Sequence, residues 1–382
     1  MKCSWPGQRV TSSRVGFGMA KEEAWNSGIP RAAKLPGQAG HRNVHTPRND
    51  QQTDVRQLLW NPDLEFTFNG YIRTFIDTMR AFVSKNPVLS FVLLTLGYQW
   101  IVIGIVGWHL KTAGLSLEED ETAHMIFRMR VFGPLVFCVF LTWYIEGMAG
   151  LKTLFSAFFN WRVPGKWYLF GATWKFLFSW VGVGLLVLFG LRDWPGFFNA
   201  QIFSDNALLL ALLKTMPFLV GIAIVEETAW MKYCVTRMQD RYSALASCLI
   251  IGVAWGCWYL PMILVGEGVP DGYPPPIFMC SMLCLTILLG WAYNMTHSGT
   301  ILLLMQVVSN GAFFMLPVLP GWHNMDTAYV NAFVAINSLS AILIVVIYGW
   351  REMGTRKRAT WSEAHAATLA NERESSKARV AA

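Results

Sequence analysis

The chain of 382 residues is 54% hydrophobic and only 14% charged, which is outside the usual range of soluble proteins. This composition excludes an ordinary soluble domain and indicates a protein that crosses a membrane several times. The formal net charge of +7 falls mainly in the two tails and in alternate loops. Because basic loops stay in the cytoplasm, we predict that both termini are cytoplasmic. We expect membrane lipids to surround the protein and predict no nucleic acid partner.

The first part of the chain shows two kinds of sequence. Residues 1–58 are rich in Gly, Pro, Ser and Arg without apolar periodicity, so we predict a disordered cytoplasmic tail. Residues 59–86 include "FNGYIRTFIDTMRAFVSK", in which aromatic side chains and Met recur at helical spacing opposite Arg73, Asp77 and Arg80. This pattern is typical of an amphipathic helix that lies in the membrane interface.

Apolar runs of about 20 residues, the length that crosses a bilayer as a helix, dominate the chain from there to residue 350. We predict an all-α polytopic bundle of about eight transmembrane helices in residues 87–350. Residues 351–382 then form a second cytoplasmic tail, which is basic and polar. The eight spans are 88–110, 131–150, 167–191, 207–225, 242–265, 276–295, 300–318 and 328–349.

Ionisable side chains inside a span are costly, so each one is a candidate site residue. Glu146 lies near the end of span two, where we expect a solvated helix end. Lys214 precedes Glu226 by about three helical turns, and we expect it to extend toward the opposite face without reaching the glutamates. Arg130 and His109 lie at span ends.

Glu226 and Glu227 follow directly on the apolar run "FLVGIAIV". Neighbours on an α-helix point about 100° apart, so one glutamate can face a cavity while the other contacts a neighbouring helix. A desolvated carboxylate of this kind is a natural proton acceptor for water. The pair could also simply mark the cytoplasmic mouth of span four. The α-helical spacing aligns Glu226 with Trp230, Tyr233 and Arg237, and Glu227 with Met231, Cys234 and Met238.

Two later spans carry polar groups as well. Span five contains "GVAWGCWYLP", where Tyr259 supplies a hydroxyl and Gly252 and Gly256 allow another helix to approach closely. Span seven contains "LLLMQVVSNGAFF", where Gln306 and Asn310 lie one turn apart. Buried amides often only join helices together. Three spans that each turn polar groups inward nevertheless predict a shared polar chamber.

The order of these motifs resembles the CPBP family (CAAX proteases and bacteriocin-processing enzymes, also called Abi), which are all-helical intramembrane endopeptidases. Its members read E-E-x-G-W-R-G-Y, W-G-x-W-H-L-P and H-A-x-x-N, and the similar stretches here are "EETAWMKY", "WGCWYLP" and "QVVSN". The likeness covers about residues 130–318. It implies that Glu226 is the base that activates water, with Glu227 beside it, and that Asn310 is the oxyanion-side amide.

The departures from the family pattern remove its cation and both imidazoles. Met231 stands where the family pattern has arginine, and Tyr259 and Gln306 stand where it has the two histidines. Without imidazole, the site lacks groups that orient water or return a proton near neutral pH. Two carboxylates, a phenol and two amides are also poor zinc ligands, so we predict no catalytic metal and no cofactor.

All seven histidines of the chain lie in tails, loops or span ends. Only His297, in a short turn, remains as a possible substitute for the missing imidazoles. The others are His41, His45, His109, His124, His323 and His365.

Three functions remain from the sequence. The first is a pseudoprotease that binds a hydrophobic or prenylated peptide, or a partner membrane protein, without cutting it. The second is a repurposed membrane enzyme in which Glu226 exchanges a proton, Tyr259 acts as an acid, and the two amides hold developing negative charge. The third is an active glutamate-dependent endopeptidase. A transporter is disfavoured because the two halves of the chain show no internal repeat.

Overall fold

The computed structural model describes residues 62–199, 206–264, 273–317 and 326–381. All regular secondary structure in these ranges is helical, which confirms the predicted all-α class. The predicted tail 1–58 lies outside the described residues. The helices are α1 (Pro62–Lys85), α2 (Pro87–Ala113), α3 (Glu121–Met129), α4 (Gly133–Ser156), α5 (Gly165–Leu188), α6 (Asn206–Glu226), α7 (Thr236–Gln239), α8 (Ala244–Leu264), α9 (Pro275–Thr296), α10 (Gly299–Met315), α11 (Thr327–Tyr348) and α12 (Trp361–Ala381).

Six helical stretches in the described residues are long and apolar enough to cross a membrane, which confirms a polytopic membrane protein. The other two predicted spans are also helical. They are α6 and α10, and the apolar part of α10, Gly299–Ala312, is shorter than the six. The count of eight crossings therefore stays a prediction. The six are Pro87–Ala113, Glu121–Phe159, Gly165–Leu188, Ala244–Ile263, Pro275–Thr296 and Thr327–Tyr348.

The predicted interfacial segment is a helix in the structure, α1. Phe75, Ile76 and Met79 are exposed on it, so these apolar side chains do not pack into a core. Such a helix is stable when lipid covers those side chains. The interfacial position itself remains a prediction.

Close packing of α8 on α9 depends on the glycines that the sequence singled out. A Cβ atom added to Gly252 would lie 3.1 Å from atoms of Leu283 and Thr286. One added to Gly256 would collide with the thioether of Met279. Because only glycine leaves this space open, α9 can lie directly against the α8 turns that precede Tyr259.

The helix geometry changes from α to π directly after α6. The π-helix comprises Glu227–Val235, and all nine of its residues are buried. A π-helix is rare, is wider than an α-helix, and occurs most often at functional sites. The two faces predicted from α-helical spacing for Glu226 and Glu227 are therefore wrong beyond Glu227, because each π turn accommodates more residues.

The end of the π-helix is held by an ion pair that the sequence analysis did not predict. Both terminal nitrogens of Arg237 donate to the carboxylate of Glu146, at 2.9 and 3.0 Å. The Glu146 side chain is only 15% exposed, so the prediction of a solvated helix end is wrong. Gly147, with a φ of 62°, interrupts the α4 helix immediately after this glutamate.

The last described helix, α12, completes the same cluster. The Trp361 indole donates to Glu146 at 2.9 Å, and its ring lies 3.8 Å from the Arg237 guanidinium. The Gln239 amide donates to the backbone carbonyl of Ala359 at 2.9 Å. The segment predicted as a polar tail therefore contains a helix that is docked on α4 and α7.

We expect Trp361→Ala to lower the free energy of unfolding by about 3 kcal/mol, because a buried aromatic side chain and its contact with an ion pair are lost. Thermal unfolding of the purified protein in detergent measures this. Trp350→Ala is the matched control, because Trp350 is 52% exposed. Its effect should stay within about 0.5 kcal/mol. Equal effects of the two substitutions would contradict the docking of α12.

Candidate active site

The Glu226 carboxylate is the meeting point of three helices. Glu226 is the last residue of α6 and is fully buried. The Tyr259 hydroxyl of α8 donates to its Oε1 at 2.5 Å, and the Gln306 amide of α10 donates to its Oε2 at 2.6 Å. Short hydrogen bonds to a charged acceptor are the strong ones, so this carboxylate joins the three helices.

Asn310 lies at the edge of this cluster. It follows Gln306 by one turn of α10, and its amide, like the indole of Trp255, lies near the Glu226 carboxylate. Neither Asn310 Nδ2 nor Trp255 Nε1 completes a hydrogen bond within the described residues. The structure therefore brings Tyr259, Gln306 and Asn310 to Glu226, and it leaves the last of them with donor capacity to spare.

Glu227 differs sharply from its neighbour. It opens the π-helix and is fully buried, yet neither of its oxygens has a hydrogen-bond partner in the part of the chain that the structure describes. A buried carboxylate without a partner is costly, and it calls for water, a proton or a ligand. Glu227 is therefore a second candidate site residue beside the joined Glu226 cluster.

Three indoles surround the start of the π-helix. The rings of Trp230 and Trp255 stack with centroids 6.0 Å apart, and the ring of Trp258 lies 6.4 Å from that of Trp230. The indole nitrogens of all three lack hydrogen-bond partners among the described residues, and so does Gln306 Oε1. Unpartnered polar atoms at this density indicate a site that water or a ligand completes.

The positions next to the glutamates do not replace the expected arginine. Met231 is fully buried, and its methyl group packs toward Gly290 of α9. Lys232 is buried elsewhere, with its ammonium 5.8 Å from the Tyr293 ring and 5.6 Å from the Trp361 ring. Lys214 is exposed and away from the pair, as predicted.

His297 is not among the side chains that donate to Glu226 in the described residues. It caps α9 in the left-handed region, at a φ of 51°, and its ring stacks on Tyr293. Burial lowers the pKa of its imidazole below the usual value, and the nearby Arg356 lowers this pKa further. Its charged neighbours are Arg356, Lys232 and Glu363, and none of them belongs to the Glu226 cluster.

The sequence analysis missed one buried cation, Lys175, and did not predict the burial of another, Arg130. Lys175 lies in the middle of α5, is only 5% exposed, and donates to the Ser309 hydroxyl at 3.1 Å. A single lysine in the apolar run "GATWKFLFSW" was the signal that could have found it. Arg130, predicted at a span end, is 4% exposed and lies beside Trp258.

No three side chains of His, Cys, Asp or Glu in the described ranges lie close enough together to hold a metal ion. The absence of a catalytic metal remains a prediction from the ligand types.

Residues 208–312 match the family model of the Rce1-like proteins, described as type II CAAX prenyl endopeptidase Rce1-like. The matched segment contains Glu226, Glu227, Tyr259, Gln306 and Asn310. No curated protein sequence matches the chain. The fold indicates an integral membrane protein, and over the matched segment the chain is similar to the CAAX proteases, in line with its resemblance to the CPBP family.

The two glutamates should respond in opposite ways to the same substitution. Glu226→Gln places an amide nitrogen opposite one of two donors, so we expect it to lower the free energy of unfolding by about 1–3 kcal/mol. Glu227→Gln replaces an unpartnered carboxylate with a neutral group and should raise the free energy of unfolding by about 1 kcal/mol. Thermal unfolding in detergent compares the two. A shift of the same sign for both would contradict the different surroundings assigned to them.

Proposed function

We propose that the protein is a pseudoprotease of the CAAX type, which binds a hydrophobic or prenylated peptide, or a segment of a partner membrane protein, without hydrolysing it. The observation that carries this proposal is that both oxygens of the Glu226 carboxylate already have hydrogen-bond donors. Its two oxygens accept hydrogen bonds from Tyr259 and Gln306, the residues at the positions of the two expected histidines. We also infer cytoplasmic termini from the basic loops.

These substitutions argue against peptide hydrolysis. A general base must hold a water molecule and take its proton, and a general acid must protonate the leaving amine. The Gln306 amide has no titratable proton, and the Tyr259 phenol is a weak acid whose hydroxyl is directed at the base itself. Loss of a general acid typically lowers a rate by ~10²- to 10⁴-fold, and the motif arginine is absent as well.

The unpartnered atoms around the glutamates suit a peptide backbone. The Asn310 amide can donate to a ligand carbonyl, and the Glu227 carboxylate can accept from a ligand N–H group. The rings of Trp230, Trp255 and Trp258 supply apolar surface beside them. A lipophilic peptide therefore satisfies both the polar and the apolar parts of the cluster.

A repurposed acid–base enzyme is the alternative, and Glu227 favours it. Binding could use one of the two glutamate carboxylates, but a protein that only binds has little need of two adjacent buried ones. In that case Glu226 and the Tyr259 hydroxyl, 2.5 Å apart, would exchange a proton during a reaction of a lipophilic substrate.

Binding and hydrolysis are separated by one experiment on the full-length protein in detergent micelles, with an S-farnesylated CAAX-type peptide as the probe. We expect saturable binding without a cleavage product in the mass spectrum. Glu226→Gln should change the affinity by less than about threefold, because the shape and most hydrogen bonds are kept. The control is Glu374→Gln, at an exposed position of α12. Cleavage by the intact protein that Glu226→Gln abolishes would overturn the proposal and favour an enzyme.

Restoring the imidazoles tests the explanation for the inactivity. We expect the double variant Tyr259→His, Gln306→His to gain cleavage of the farnesylated peptide, because a base, an acid and a water-orienting group are then present. Each single variant should remain inactive. Addition of Glu226→Gln to the double variant should remove the gained activity. Activity that survives this addition would show that the cleavage does not use the Glu226 cluster.

A further inference from the structure

Arg130 is a buried cation without an anionic partner in the part of the chain that the structure describes. It lies in the 3₁₀ turn Arg130–Phe132 between α3 and α4, and it is 4% exposed. No described carboxylate forms an ion pair with it. Its Nε has no hydrogen-bond partner in the described ranges, and its Nη2 contacts only the thioether sulfur of Met262. A thioether is a weak acceptor, so no strong acceptor among the described residues meets this edge of the guanidinium.

Aromatic rings offset only part of the cost of this burial. The guanidinium carbon lies 3.9 Å from the centroid of Phe127 and 5.8 Å from that of Trp258. Ring faces attract a cation, but they supply no strong hydrogen-bond acceptor. An apolar side chain would serve packing at least as well, so an unpaired arginine inside a membrane helix bundle points to a function.

Arg130 is adjacent to the site through Tyr259 and Trp258. It interacts electrostatically with the Tyr259 phenol, whose hydroxyl is hydrogen-bonded to Glu226. The Trp258 ring lies 4.9 Å from the Tyr259 ring, and its indole nitrogen is unpartnered. Tyr259 thus lies between the guanidinium of Arg130 and the glutamates. Arg130 also lies outside the segment 208–312, so the family match gives it no role.

We propose that Arg130, together with the indole N–H of Trp258, binds the free carboxylate of a lipophilic peptide ligand. The Nε and Nη2 groups lie on one edge of the guanidinium and match the two oxygens of a carboxylate in a bidentate pair. This inference rests on the proposed function, because it needs a peptide in the cluster around Glu226. It adds the end of the ligand that the protein recognises and the residue that recognises it.

The test compares two probes that differ only at this end. They are an S-farnesylated Cys-Val-Ile-Met peptide with a free C-terminal carboxylate and the same peptide as the C-terminal amide. Dissociation constants are measured with the full-length protein in phosphatidylcholine nanodiscs. We expect the acid to bind about ten- to a hundredfold more tightly than the amide, the range of a hydrogen-bonded charge pair.

Substitutions assign the preference to one side chain. Arg130→Met should abolish the difference between acid and amide while the affinity for the amide is unchanged, which also verifies folding. Arg130→Lys keeps the charge without the planar edge and should retain only part of the preference. Arg128→Met is the matched control, because Arg128 lies two residues away and is exposed. It should leave both dissociation constants unchanged.

Three outcomes would overturn the inference. Equal binding of acid and amide by the intact protein removes the carboxylate anchor but leaves the proposed function in place. A preference that persists in both Arg130→Met and Arg130→Lys assigns the anchor to another residue. Binding of neither probe by the intact protein contradicts the proposed function itself, and the inference fails with it.

Discussion

The membrane interior requires every buried polar group to find its partner within the protein, and Glu226 is where this requirement is most demanding. Two hydrogen bonds, from Tyr259 of α8 and Gln306 of α10, satisfy the two oxygens of one carboxylate at the end of α6. The three helices must therefore meet at a fixed depth and rotation. The glycines that bring α9 against α8 and the stacked indoles around Trp230 pack about this point.

The π-helix that follows is fixed at both ends by side-chain contacts. Glu226 holds its beginning, and Arg237, in its pair with Glu146, holds the residue just beyond its end. A wide helix of this kind forfeits the good geometry of α-helical hydrogen bonds, so it persists where tertiary contacts determine it. Between the two ends, Glu227 is buried without a hydrogen-bond partner among the described residues. The unpartnered carboxylate is thus a consequence of the way this segment is held.

The sequence predicted the parts of this arrangement that depend on local composition. Hydropathy revealed the membrane helices, and the cost of a charge in lipid singled out Glu226 and Glu227. The sequence could not predict the π-helix, because tertiary contacts and not residue types decide between α and π turns here. Glu146 was misjudged for a related reason. Its partner Trp361 lies 215 residues further along the chain, in a segment whose composition resembles a polar tail.

The buried cations mark another limit of sequence reasoning. Arg130 stands at the boundary of an apolar run, where a solvated position and a buried one have the same sequence pattern. Only the positions of Phe127, Trp258 and Met262 around it show that it is enclosed. The match to residues 208–312 likewise describes the carboxylate side of the site and leaves the cation that approaches it from α3 and α4 unaccounted for.

A double-mutant cycle on Glu226 and Tyr259 tests the central claim most directly. The free energy of unfolding in detergent is measured for the intact protein, Glu226→Gln, Tyr259→Phe and the double variant. The account predicts a coupling of about 1.5–3 kcal/mol, the range for a hydrogen bond to a charged group. Effects that add within about 0.5 kcal/mol would contradict it, because the two helices would then not be joined through this carboxylate.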